Sequence, residues 1–309
     1  MAYKSRFRRR TTRRYSTKKK TSSRRRSYVK KRFTTRSRKM SRKGILNITS
    51  RKKQDNMLSF ANTNSSGASV SAVAVGGLYV NGTSTYAMTV FCPTARSLTT
   101  AGATNLLVDQ ADRTATTCYI RGYKENLRIQ TSSPLPWLWR RIVFTTKGPT
   151  FYLNSSSDTP TIKFTPYSDT SIGMARLWFN LSVNASPNTI SQMNTIIFKG
   201  AINQDWNDVI TAKVDTSRIS VMSDRTTCIK TSNASGHFSD RKLWYPVNKN
   251  LVYDDDESGA AVASNYYSTD AKPGMGDMYI VDYLAPGVGA TGSDVINLNA
   301  TATMYWHEK

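Results

Sequence analysis

All of the positive charge excess of this 309-residue chain lies in its first 53 residues. Lys4 to Lys53 contain 24 lysines and arginines, and the first acid is Asp55, which leaves 20 Lys and Arg against 20 Asp and Glu in the rest. Clusters such as Arg8-Arg9-Arg10, Lys18-Lys19-Lys20, Arg24-Arg25-Arg26 and Lys30-Lys31-Arg32 repel one another, and Ser and Thr rather than aliphatics stand between them. Residues 1–53 are therefore expected to build no core and to form a disordered arm until something neutralises them. Whatever folds must come from residues 54–309.

Nucleic acid is the expected neutraliser. Each Lys or Arg that meets a phosphate releases a condensed counterion, which gives strong, salt-sensitive binding without sequence preference. Arg8, Arg9, Arg10, Arg13, Arg14, Lys18, Lys19, Lys20, Arg24, Arg25, Arg26, Lys30, Lys31 and Arg32 are the candidate phosphate-binding residues of the arm, joined by Arg51, Lys52 and Lys53 at its junction with the body. Tyr3, Phe7, Tyr15, Tyr28 and Phe33 are interleaved with them and can stack on unpaired bases, which points to single strands. Arg24-Arg25-Arg26 with Lys30-Lys31-Arg32 also suits a nuclear-import signal. No membrane role is expected: no apolar run is long enough to span a bilayer, and the arm lacks an amphipathic apolar face. The charged start, without the apolar stretch of a signal peptide, predicts a chain kept inside a cell. Cys92, Cys118 and Cys228, odd in number and widely spaced, predict reduced core thiols rather than a disulfide framework.

The body reads as all-β. At its end Ile296, Leu298, Ala300, Ala302, Met304 and Trp306 alternate with polar residues, the period of a half-buried strand. Leu177, Phe179, Leu181 and Val183 repeat the pattern, with Trp178, Asn180 and Ser182 expected outward. Further strands are predicted at Met57–Phe60, Tyr86–Phe91, Thr116–Ile120, Trp137–Thr145, Arg218–Met222, Thr226–Thr231 and Met278–Leu284. Long polar loops are expected at Asn62–Gly77, Ser155–Pro166 and Asp254–Gly276. One helix is predicted, with Ser186 as N-cap, Pro187 at its first position, Ile190, Met193, Ile196 and Ile197 on one face, and Gly200 stopping it. An eight-stranded antiparallel jelly-roll sandwich with one short inserted helix accommodates these elements.

Catalytic, cofactor and metal chemistry find little purchase. Gly287-Val288-Gly289-Ala290-Thr291-Gly292 matches a dinucleotide-binding fingerprint, but Val295–Trp306 alternates as a strand, so no helix follows to receive a pyrophosphate; a hairpin loop is expected. The run Asp254-Asp255-Asp256-Glu257 lacks the ligand spacing of a calcium loop and reads as a solvated or intersubunit salt-bridging segment. His237 and His307 have no partners for zinc binding or a nucleophilic triad.

Aromatic segments stand out instead. Pro134 to Arg141 carries Trp137, Trp139, Arg140 and Arg141, and Leu243 to Asn248 carries Trp244 and Tyr245. Core packing, base stacking and subunit contact all suit such residues. Strand alternation puts Trp137, Trp139 and Arg141 on one face, and a fully buried Arg141 would need a paired acid. A subunit interface containing Trp137, Trp139, Arg141 and Trp244 is therefore expected.

The basic arm, the stretch Ile45 to Phe60, the segment Leu135-Pro136-Trp137-Leu138-Trp139-Arg140-Arg141 and the run Leu243 to Glu257 together resemble the capsid proteins of genomoviruses and, more distantly, geminivirus coat proteins. The resemblance implies a jelly-roll capsid subunit, an icosahedral shell of about 60 copies, packaging of a circular single-stranded DNA genome, and traffic through the host nucleus by an import receptor. The virion and the host nucleus are the locations it implies. A cellular chromatin-associated or RNA-binding protein with a β-sandwich partner module is the alternative that the charge partition leaves open.

Overall fold

The computed structural model describes residues 40–100 and 102–309. It is mostly β, with predominantly antiparallel sheets. Two antiparallel sheets are built from β1 (Arg51–Met57), β2 (Ala87–Phe91), β3 (Thr117–Thr131), β4 (Trp137–Thr146), β5 (Ser220–Ile229), β6 (Phe238–Val252), β7 (Asp277–Pro286) and β8 (Val295–Glu308). One sheet has the order β1-β8-β3-β6, with the short strand Leu78–Asn81 also on β8; a second has the order β2-β7-β4-β5; a further four-stranded sheet runs Ser168–Thr170, Gly173–Trp178, Ser59–Thr63, Ser69–Val75, with Gly173–Trp178 parallel to Ser59–Thr63. All neighbours within the first two sheets are antiparallel.

Alternation builds β8 as the sequence predicts. Ile296, Leu298, Ala300, Ala302, Met304 and Trp306 are all buried against the opposite sheet, while Thr301 is exposed. In β3 the predicted Thr116–Ile120 is only the first third. A register shift opposite Tyr305 and Trp306 moves the inward positions from Cys118 and Ile120 to Tyr123, Glu125, Leu127 and Ile129, breaking the sequence period. The two candidates Arg218–Met222 and Thr226–Thr231 are one strand, β5, with a bulge between Val221 and Ser223. Leu177–Val183 departs further: the strand there is Gly173–Trp178, and burial is continuous from Ala175 to Leu181, so Trp178 and Asn180 are buried rather than outward. Both sides of this segment are covered, and alternation disappears.

Helix α1 (Arg42–Thr49) precedes β1, and Arg51, Lys52 and Lys53 belong to β1 itself. The body thus begins ahead of the predicted boundary at residue 54. Helix α2 (Pro187–Ile197) lies where expected, with Ile190, Met193 and Ile197 buried. Ser186 makes no side-chain cap; Asp158, from the preceding loop, accepts the Asn188 and Thr189 amides at 3.0 and 2.8 Å. These bonds hold the Asp158 carboxyl below its ordinary pKa against the opposing effect of burial. The helix ends at Phe198, before Gly200. The expected Asn62–Gly77 loop is largely two strands, Ser59–Thr63 and Ser69–Val75, and Asp254–Gly276 contains a small hairpin, Asp256–Ser258 with Ala261–Ala263. The glycine-rich run at Gly287 joins β7 to β8 across the two sheets, so it is an inter-sheet connection and not a hairpin loop. Cys92 and Cys118 are buried free thiols; Cys228 is exposed, contrary to its expected place in the core.

Much of the connection from β4 to β5, residues 147–219, covers the outer side of the β2-β7-β4-β5 sheet, while its strand Gly173–Trp178 pairs with Ser59–Thr63 and sends Arg176 between the sheets. Arg140 of β4 reaches into the cover, donating from Nη1 to the Val209, Ile210 and Ala212 carbonyls at 2.7, 3.2 and 2.8 Å. Phe144 packs on Phe151 with ring centroids 5.0 Å apart, and the Tyr283 hydroxyl donates to Asn194 at 2.6 Å. Every residue of β7 from Asp277 to Leu284 is buried as a result.

Candidate nucleic-acid interface

The outer side of the β1-β8-β3-β6 sheet has no such cover. Lys52 of β1, Arg121, Lys124 and Arg128 of β3 and Lys242 of β6 stand exposed on it. Asp240 is the one acid at an outward position of these four strands. None of the five cations lies within ion-pair distance of a carboxylate among the described residues. His307 registers the local field: burial first, then Lys52 and Arg121, hold its imidazole below the ordinary histidine value.

Trp244, on the edge strand β6, borders this basic face and is 46% exposed. Its ring lies over Gly122 of β3, where an added Cβ would come within 2.6 Å of it, and edge-on to Tyr305 at 5.8 Å. The glycine makes room for an indole laid against the sheet with cations around it. Such a surface can stack a base and hold the neighbouring phosphates. Lys124 stands directly across from Trp244 on β3 and Lys242 two residues along β6, at outward positions of the same face, whereas Lys52 lies on the far edge strand, in register with Asn250.

The sequence-predicted residues divide in their placement. Arg8, Arg9, Arg10, Arg13, Arg14, Lys18, Lys19, Lys20, Arg24, Arg25, Arg26, Lys30, Lys31 and Arg32, including both import clusters, lie outside the described residues. Arg51 and Lys52 are exposed, but Lys53 is not available to a phosphate. It points inward, pairs with Glu308 at 3.3 Å and donates to the Asp112 carbonyl at 2.7 Å and to Thr114 at 3.0 Å. Inward parity at positions 53, 55 and 57 of β1 is the cause.

Three of the four expected interface residues are core residues instead. Trp137, Trp139 and Arg141 are 0%, 4% and 3% exposed, between the two sheets. The acids that Arg141 needs are present. Its Nε donates to Asp282 at 2.6 Å and its Nη1 to Glu125, while Arg176 donates to Glu125 at 2.7 Å and stacks on Trp178 at 3.6 Å. Trp139 Nε1 completes the group on Asp282 at 2.7 Å. Two arginines and two acids thus form a neutral buried quartet, with Tyr123 and Trp306 among the apolar residues on one side of it and Leu127 and Trp137 on the other. Burial pushes the Glu125 carboxyl up, but the two guanidinium groups outweigh it and hold the pKa at about 2. Trp139→Ala is therefore expected to lower the stability of the subunit itself. Glu125 falls in phase with Leu127 and Ile129, and Asp282 falls inside the apolar run Met278–Leu284; these were the signals of a buried counter-charge. Trp244 alone of the four is at a surface.

Elsewhere, Asp255 of the acidic run is tied within its own chain. It accepts a bidentate pair from Arg113 at 2.6 and 2.9 Å, and Arg113 in turn stacks on Tyr253. An intersubunit role for Asp255 is thereby overturned. The chain matches no protein-family model, and a search of curated proteins returns no significant match.

Proposed function

We propose that the chain is a viral capsid protein, a jelly-roll subunit that assembles into a small icosahedral shell and packages circular single-stranded DNA through its basic arm, as the genomovirus resemblance implies. The strand orders support the jelly roll. Partners in the sheets pair as β1 with β8, β2 with β7, β3 with β6 and β4 with β5, the pattern produced when one long antiparallel ribbon is rolled up. The observation that carries the function is a coincidence of charge and place: the segment with 24 cations joins the body at one edge of the sheet whose outer face is bare and basic, with an exposed tryptophan on its far edge strand.

In this reading the bare sheet faces the interior of the shell. A body with equal numbers of acids and bases packs side by side without net repulsion. With about 60 copies the arms carry about 1,440 positive charges, enough to neutralise on the order of one to two kilobases of single strand. Arg24-Arg25-Arg26 and Lys30-Lys31-Arg32 serve the nuclear-import receptor before assembly. Expression of the full chain followed by negative-stain electron microscopy tests the proposal. Closed particles of uniform size that contain nucleic acid are expected. A monomer or small oligomer at every concentration would overturn it in favour of a cellular nucleic-acid-binding module.

A further inference from the structure

Strands β5 and β6 are the free edges of the two sheets at one side of the sandwich, and between them opens a cleft of about 780 Å³. Its floor is Trp139 and Arg141, the latter already neutralised by Glu125 and Asp282. Its walls carry Arg225 from β5 and Arg241 from β6. No aspartate or glutamate lines it among the described residues. Arg96, Arg113, Arg140, Arg141 and Arg176 each hold a carboxylate, but Arg225 and Arg241 hold none among the described residues. Arg241 is half-buried, its sole hydrogen bond a 3.4 Å contact to Thr227, and its guanidinium lies 5.4 Å over the Trp139 ring. Burial first, and then Arg225, pull Arg241 below the ordinary arginine range, so the two like charges face each other at a cost.

We propose that this cleft is a nucleotide-binding site, in which Arg225 and Arg241 take a phosphate between them and Met222 and Leu243 pack against the sugar or base. A guanidinium pair presents the forked donors that a phosphate matches, and the volume falls in the range of small-ligand pockets, roughly 300–1,000 Å³. The cleft is also continuous with the basic face, because Lys242 and Trp244 border both. A strand whose base stacks on Trp244 would deliver the adjacent phosphate to the lip of the cleft. That continuity favours a nucleic-acid strand over a carboxylate from a second copy of the chain. The strand's identity as packaged DNA rests on the capsid reading; the phosphate chemistry of the cleft does not.

Thermal unfolding of the full chain in 0.3 M salt tests the site, with thymidine 3′,5′-bisphosphate and a deoxythymidine decamer as probes. The bisphosphate is expected to raise the unfolding temperature by about 5 °C at saturating concentration. Arg225→Gln with Arg241→Gln should unfold no lower than the parent without ligand, since a repulsion is removed, and should show no bisphosphate shift. A decamer shift without a bisphosphate shift would mean that strands bind on the open face and overturn the cleft. Equal bisphosphate shifts in parent and double variant, or no shift in either, would overturn it as well, as would a double variant that unfolds several degrees lower without ligand. Electron microscopy of the same samples separates the two readings: particles without a bisphosphate shift overturn the cleft alone, and a shift without particles overturns the shell alone.

Discussion

The two sheets of the sandwich are built from similar strands and treated in opposite ways. The β2-β7-β4-β5 sheet is covered on its outer side by much of residues 147–219, and β7 is buried on both faces. The β1-β8-β3-β6 sheet spends its outer face on Lys52, Lys124, Arg128 and Lys242, with Trp244 exposed on its edge strand. The difference lies in residue choice: outward positions are apolar on β7, as at Tyr279, Val281 and Tyr283, and include cations on β3 and β6, as at Lys124, Arg128 and Lys242. The covered sheet is occupied with holding the body together, and the bare sheet leaves its charge exposed.

The contrast breaks first if the cover can be loosened without penalty. Arg140→Ala removes the donor to three buried carbonyls and the partner of Asp224, and is expected to cost about 3–4 kcal/mol in urea denaturation. A loss below about 0.5 kcal/mol, the range of an ordinary surface substitution, would mean that the cover is not latched there. The bare face should behave in the opposite sense. Replacing Lys52, Lys124, Arg128 and Lys242 together by Ala should leave the urea midpoint nearly unchanged, while the slope of log affinity for oligo-deoxythymidine against log salt falls by about 3, at about 0.7 per lost phosphate contact. An unchanged slope would confine DNA binding to the arm. Trp244→Ala sharpens the comparison further, with an expected loss of about 1–3 kcal/mol in oligonucleotide binding and little effect on folding; Phe in its place should restore most of it.

A last test of the covered sheet lies in pH. Asp277, at the start of β7, is buried beneath Ser268 and Thr94, and burial raises its carboxyl to about 6 against the lowering effect of their hydrogen bonds. A carboxyl with a raised folded-state pKa takes up a proton on folding. Its contribution is complete below the unfolded value near 4 and is lost as pH rises through about 6. Asp277→Asn should flatten the stability profile between pH 4 and 7; parallel profiles for parent and variant would contradict it.

How much of this was legible in the sequence follows from how local each signal is. β8 and α2 could be read because their burial pattern is written in consecutive residues: the alternation from Ile296 to Trp306 and the Ser186-Pro187 start. β3 was cut short because its bulge shifts the period and because an inward position holds Glu125. β6 was read as an aromatic patch because an edge strand is half-exposed and contains Pro246. The Trp137-to-Arg141 segment was assigned to an interface on a sound cost, that of burying Arg141, but the acids that offset it stand 16 and 141 residues away. The cleft between β5 and β6 could not be read at all, since Arg225 and Arg241 meet only through the pairing of two different sheets. The arm, by contrast, needed only counting.

The tie between Lys53 and Glu308 has a mechanical meaning. β1 runs antiparallel to β8 over Arg51–Met57, and the arm leaves from the Arg51 end. Whatever its direction, a pull on the segment ahead of β1 would reach the body first through this strand pair. The buried lysine lies two residues inside that entry point, braced by Glu308, Thr114 and the Asp112 carbonyl. The body thus carries an anchor at its own entrance: fraying of β1 from its first residue meets a buried ion pair and two hydrogen bonds before it reaches the core.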